Sequence, residues 1–135
     1  MYSTSMSKPE GRLFSFDSPN KIRSDFLEIF PYEGNKQFVN YSTNEFSAVC
    51  PFSGLPDIAK VSIEYIPNKH CLELKSLKYY FVSYRNIGIY QEAVTNRIFD
   101  DIYDILKPNY LKVTTVYNTR GGIDATCHIE KGEKN

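Results

Sequence analysis

The stretch Ser47-Ala48-Val49-Cys50-Pro51-Phe52-Ser53-Gly54-Leu55-Pro56-Asp57 decides the reading of the chain. Pro51 and Pro56 each fix φ, and Gly54 tolerates positive φ, so the segment must turn. It can be neither helix nor central strand. An apolar run, Phe46 to Val49, leads in, and another, Ile58 to Ile66, leads out. Cys50 therefore sits where one strand ends, and Asp57 where the next begins. The loop between them folds back and brings a thiol and a carboxyl toward one small molecule. A thiol and a carboxyl so placed are a nucleophile and a proton carrier. A buried, inert cysteine beside a turn aspartate would leave the same spacing.

Outward from this loop, a strand is expected over 37–49 with an irregularity near Thr43-Asn44. A second is expected over 58–66. In it Ala59, Val61, Ile63 and Tyr65 alternate with Lys60, Ser62 and Glu64, giving one packed face and one wet face. Leu74, Leu77, Phe81 and Tyr84 recur at helical spacing, and Arg85-Asn86-Ile87-Gly88 breaks the pattern. A second helix starts near Gln91, with Val94, Ile98, Ile102, Ile105 and Leu106 as its apolar face, and Pro108 stops it. Leu111, Val113, Thr115 and Tyr117 mark a third strand. Asn118 to Gly122 reads as a hairpin loop, and Ile123, Ala125, Cys127 and Ile129 mark a fourth strand. The order ββααββ predicts an α+β fold, an antiparallel four-stranded sheet with two helices on one face. Its sheet edges need covering, which joining between subunits would provide.

The 135 residues fit one domain. An N-terminal arm is expected over 1–24, a single domain over 25–130 and a frayed tail over 131–135. Sixteen basic and sixteen acidic residues cancel. That balance argues against a nucleic-acid partner and for a small molecule. Three cysteines without C-x-x-C spacing argue against a disulfide framework and a thiolate metal site, and for a reducing, cytoplasmic setting. No apolar run reaches membrane-span length, and no export signal is expected.

Three further stretches carry chemistry. In Glu73-Leu74-Lys75-Ser76-Leu77-Lys78-Tyr79-Tyr80, Lys75 and Lys78 share a helix face near its N-terminus. Together with the helix N–H donors they suggest an anion site for a phosphate-bearing cofactor; a solvated basic face is the alternative. Gln91-Glu92 opens the second helix. There Glu92 either complements the helix dipole or accepts a guanine-like edge through two bonds. Arg120-Gly121-Gly122 offers an arginine for phosphate or a neighbouring subunit, or is a plain hairpin turn. No Gly-x-Gly-x-x-Gly loop is present, so a nicotinamide cofactor would not be held in the Rossmann manner.

From about residue 27 to 129 the chain resembles the short, single-module NADPH-dependent 7-cyano-7-deazaguanine reductases of queuosine biosynthesis. The motif Cys-Pro-x-[Ser/Thr]-Gly-x-Pro-Asp is met by Cys50 to Asp57. The motif Glu-[Ser/Leu]-Lys-[Ser/Ala]-x-Lys-[Leu/Tyr]-aromatic is met at every position from Glu73 to Tyr80. The resemblance implies a tunnelling fold, whose subunits join sheets into barrels with active sites at their boundaries. It implies reduction of the nitrile of 7-cyano-7-deazaguanine to an aminomethyl group by two NADPH. Cys50 would match the nucleophile that forms a covalent thioimide, and Asp57 the proton donor. Leu72, Glu73 and Leu74 would line the substrate, and Gln91 and Glu92 would match a His-Glu pair that holds the ring. Lys75 and Lys78 fall in the cofactor-associated motif, with Arg120 as a further candidate. Gln91 departs from the usual His and cannot carry a proton near neutral pH. Thr119 departs from a common proline. Two other readings remain: an amidinotransferase that forms the thioimide on deazaguanine-modified tRNA, and a non-catalytic purine-binding oligomer.

Overall fold

The computed structural model describes residues 14–135. In chain order it contains β1 (Ile29–Pro31), β2 (Val39–Val49), β3 (Pro56–Ile66), β4 (His70–Leu72), α1 (Leu74–Val82), α2 (Gln91–Leu106), β5 (Tyr110–Arg120) and β6 (Ile123–Gly132). Strands β2, β3, β5 and β6 form one antiparallel sheet in the order β2-β3-β5-β6. The expected ββααββ skeleton is therefore present. The irregularity expected near Thr43-Asn44 is a register shift between Thr43 and Phe46. The short β1–β4 pair was not expected; three-residue strands carry too few side chains to show an alternation.

One face of the sheet and both helices enclose the core. Ala59, Val61, Ile63 and Tyr65 on β3 and Leu111, Val113 and Tyr117 on β5 meet Val94, Ile98 and Ile102 of α2 there. A four-side-chain polar network ties the helices together. The Tyr80 hydroxyl lies 2.7 Å from that of Tyr84 and donates to Asp101 at 2.7 Å, and Arg97 Nε meets the same carboxylate at 2.8 Å. On α1 the buried residues are Ser76, Leu77 and Tyr80, whereas Leu74 is more than half exposed. Leu74 is the first helical residue and lies over a surface groove, which corrects its place in the predicted apolar stripe.

The loop expected over 118–122 is shorter than its composition suggests. Strand β5 runs through Arg120, leaving Gly121 and Gly122 as the turn, with φ of +56° and +77°. Two successive positive φ values match a type I′ hairpin, which glycine adopts without steric cost. The pairing slips between Tyr117 and Arg120. That slip returns the Arg120 side chain to the start of β3.

Of the predicted N-terminal arm, residues 1–13 lie outside the described residues. The remainder lies on its own chain: Asp17 N–H donates to Asn86 and Gly88 N–H to Asp17, while Ile22 is buried in the core. At the other end β6 continues to Gly132, and Glu133 N–H donates to Asn109. Among the described residues no helix is long and apolar enough to cross a membrane.

Candidate active site

The cysteine loop is closed by its own backbone. Cys50 N–H donates to Leu55 O at 2.9 Å, and Gly54 N–H donates to Cys50 O at 2.8 Å. Gly54 has φ of +75°, the left-handed conformation that the turn requires. The Ser53 hydroxyl accepts from Leu55 N–H at 3.2 Å, which fixes that oxygen inside the loop. Cys50 is half-buried. Donors from the backbone N–H and hydroxyl of Ser53, with help from the Phe52 N–H, hold the Cys50 thiol below its ordinary range. Burial and the charge of Asp57 push the other way. Hydrogen bonds to the charged form win, and the thiolate is the nucleophilic form.

Strand β3 aims Asp57 inward. Its alternation buries Asp57 and Ala59 on the helix side while Pro56 and Ile58 face out. The Asp57 side chain is 10% exposed and pairs with Arg120 at 2.5 Å. Arg120 also donates to the Pro56 carbonyl. The sequence left Arg120 for phosphate or a neighbour; within the chain it is spent on Asp57 and fixes where that side chain sits.

The last residues of β2 lie against the approach to α2. Val49 N–H donates to Ile87 O at 2.8 Å and Ile89 N–H to Val49 O at 3.0 Å. This clamp sets the first turn of α2, with Gln91 half-buried and Glu92 exposed, at the same end of the molecule as Cys50. Farther along α2, the Thr95 hydroxyl accepts or donates at 2.7 Å to that of Thr115 on β5. Cys50, Asp57, Arg120, Gln91 and Glu92 thus gather at one end of the sheet.

Leu72, Glu73, Leu74, Lys75 and Lys78 do not join them. The Tyr41 hydroxyl reaches Leu72 O at 3.5 Å, which places the start of α1 beside the early part of β2. From Tyr41 to Cys50 an extended strand covers roughly 30 Å at ~3.3 Å per residue, less at the register shift. Leu72 is buried in the core, so only its backbone can face a ligand. Glu73 caps α1 and accepts from Lys75 N–H at 2.9 Å and Ser76 N–H at 2.8 Å. These two bonds hold its carboxyl below the usual range. The expectation of free helix N–H donors for a phosphate is therefore corrected: Glu73 already occupies them. The basic groups remain. Lys78 and Arg85 line a groove of about 260 Å³ between α1 and β2, with Leu74, Phe81 and Phe46 as part of its apolar wall.

Two residues escaped the sequence reading. Ser53 was read only as part of a turn, although its place three residues after the cysteine was visible. Tyr117 was read only as an inward strand residue; its row also contains Thr115, a hint that this face turns polar toward the α2 N-terminus.

The QueF-like protein family pattern matches residues 56–135. The NADPH-dependent 7-cyano-7-deazaguanine reductase of Thermotoga maritima is 55% identical over 125 residues, covering 92% of this chain and 91% of that protein. The protein of the same name from Thermoanaerobacter pseudethanolicus is 48% identical over 129 residues, covering 94% and 96%. Among solved structures, the archaeosine synthase QueF-Like in its apo form superposes with a TM-score of 0.67 at 28% identity, covering 73% of this chain and 96% of that one. The fold is accordingly the tunnelling fold that the sequence implied. Identity of this order across nearly the whole length, together with the cysteine loop and its paired aspartate, means that the chain belongs to the family of NADPH-dependent 7-cyano-7-deazaguanine reductases.

Proposed function

We propose that this protein reduces the nitrile of 7-cyano-7-deazaguanine to the aminomethyl group at the expense of NADPH, with Cys50 as nucleophile and Asp57 as proton carrier. The observation that carries the reading is the placement of a thiol held toward its ionised form beside a buried carboxylate at one end of the sheet. The relatives' names specify the substrate and NADPH.

A nitrile carbon is a poor acceptor of hydride, and attachment to sulfur makes it a better one. The thiol proton passes to Asp57, Cys50 Sγ bonds to the nitrile carbon, and one carbon–nitrogen π bond opens. Asp57 returns the proton to the nitrogen, so no proton is gained or lost in forming the thioimide. Arg120 holds the Asp57 side chain in place through their ion pair. Glu92 accepts from the N–H edge of the deazaguanine ring, and Gln91 beside it donates or accepts without carrying a proton.

NADPH, when bound, supplies hydride. The groove between α1 and β2 suits such a group: Lys78 and Arg85 offer two positive charges against Glu45, over an apolar floor that includes Phe46 and Phe81. Among the described residues neither Lys78 nor Arg85 forms a salt bridge. Lys75 stands one turn earlier on the same helix.

The separation of Cys50 from the Leu72–Leu74 segment favours assembly of the complete site between subunits. Strands β2 and β6 form the two edges of the sheet, and edge pairing between copies would close it. It would also bring the Glu73 end of one copy to the Cys50 end of another, in a pocket that excludes water. The balanced charge fits a small-molecule enzyme, which we place in the cytoplasm.

The likeness to an archaeosine synthase favours one other reading, an amidinotransferase in which ammonia attacks the thioimide. The intact Glu73–Tyr80 motif and the higher identity to the reductases support reduction instead. The test is NADPH absorbance on addition of the cyano base. Consumption that requires the base and disappears in Cys50→Ala is expected. Incorporation of ammonia without NADPH consumption would overturn the assignment in favour of the transferase.

A further inference from the structure

Tyr117 carries the one buried side-chain oxygen or nitrogen, among the described residues, that has no hydrogen-bond partner. The residue is 5% exposed. A buried hydroxyl without a partner costs free energy, so the Tyr117 oxygen calls for a partner that the chain itself does not supply.

Its position is set by the sheet. Tyr117 pairs with Ala59 on β3 and with Ala125 on β6. Ala59 stands two residues beyond Asp57, so Tyr117 and Asp57 project on the same, helix-facing side. Two residues before Tyr117, Thr115 meets Thr95 of α2 at 2.7 Å. Strand β5 and α2 run in opposite directions, because a short connection joins the end of the helix to the start of the strand. The step from Thr115 to Tyr117 therefore moves toward Gln91 and Glu92. Burial pushes the Tyr117 phenol up, and the charges of Asp57, Cys127, Tyr84 and Glu92 add to that. The group keeps its proton at neutral pH and acts there as a donor.

We infer that the Tyr117 hydroxyl is a substrate contact, donating a hydrogen bond to the carbonyl oxygen of the bound base between Asp57 and Glu92. This rests on the proposed function. In a 7-cyano-7-deazaguanine ring the carbonyl lies between the cyano-bearing carbon and the N–H edge. If Asp57 serves the nitrile and Glu92 the N–H edge, the acceptor left between them is that oxygen. Small side chains, Ala59 and Ala125, stand beside Tyr117 on the two neighbouring strands.

The test is Tyr117→Phe, which keeps the ring and removes only the oxygen. Loss of one hydrogen bond predicts KM for the cyano base raised about tenfold with kcat changed less than about twofold. Reversible binding of the same base, measured by titration calorimetry in a Cys50→Ala background, should weaken by the same factor. Thermal stability without ligand should stay level or rise, since the free protein loses no bond. Unchanged KM and unchanged binding in a wild type that consumes NADPH would overturn this contact and leave the reaction standing. A lowered melting temperature with normal KM would also overturn it, assigning the hydroxyl to a structural bond between subunits. A wild type that binds the cyano base without consuming NADPH would instead remove the reductase reading, while the calorimetric comparison would still decide the contact.

Discussion

Ser53→Ala isolates the device that activates the cysteine. The substitution removes one of the two Ser53 donors to Cys50 and leaves the backbone N–H in place. It also removes the acceptor for Leu55 N–H, but that bond is on an exposed part of the loop. The main-chain closure through Leu55 O and Gly54 N–H remains. A hydrogen bond to a charged group is worth about 1.5–3 kcal/mol. At the lower figure the ionisation constant of the thiol falls about tenfold, since ~1.4 kcal/mol is a factor of ten, and the thiolate fraction on the acid limb falls with it. The more basic thiolate is intrinsically more reactive, and a Brønsted coefficient of about 0.45 returns roughly a factor of three. The net expectation is an approximately threefold slower alkylation of Cys50 by iodoacetamide on the acid limb of the profile. The acid limb of the alkylation rate should also move to higher pH. The assay is alkylation rate against pH, read by intact mass, on Cys71→Ala/Cys127→Ala protein with and without the change. An acid limb that does not move would refute the argument that Ser53 sets the ionisation of this thiol.

Arg120→Met removes the partner of Asp57 and should lower kcat more than tenfold, because the carboxyl that carries the proton loses the ion pair that positions it. Because Asp57 is left buried without its partner, urea titration should also show a loss of stability. Gly121→Ala should cost about 1 kcal/mol in the same titration. Its φ is +56° and a Cβ there meets nothing within 4 Å, so backbone strain alone is at stake and kcat should hold. Glu73→Ala uncaps α1 and should lower the melting temperature. The Glu73 carboxyl is held below its unfolded value, so its contribution is present above that value and lost as pH falls through the folded one. The wild type and the variant should therefore converge in melting temperature under acid, as read by circular dichroism.

The skeleton was legible where one side-chain period ran long enough. Ala59 to Tyr65 alternates over seven residues and is a strand, and Val94 to Leu106 repeats at helical spacing and is a helix. Pro51, Gly54 and Pro56 forced the turn that carries Cys50. Short or polar elements were not legible. His70–Leu72 pairs with Ile29–Pro31 through backbone atoms, which no side-chain pattern reports. Asn118 to Arg120 looks like a loop by composition, yet the two glycines alone suffice for the turn, and the ladder extends the strand. At the site, Cys50 and Asp57 follow from local sequence because one loop joins them. The pairing of Asp57 with Arg120 depends on a register slip between β5 and β6, and so does not appear in any local window. The same limit hid Tyr117, whose meaning comes from Ala59, Thr95 and Glu92, distant in sequence and adjacent in space.

The central claim is that Cys50 bonds to the nitrile carbon before any reduction. Its most direct measurement is the intact mass of the protein after incubation with 7-cyano-7-deazaguanine in the absence of NADPH. The account predicts a single adduct with the mass of the whole base, absent in Cys50→Ala and lost when NADPH is added. An unmodified mass in protein that consumes NADPH with the same base would contradict it.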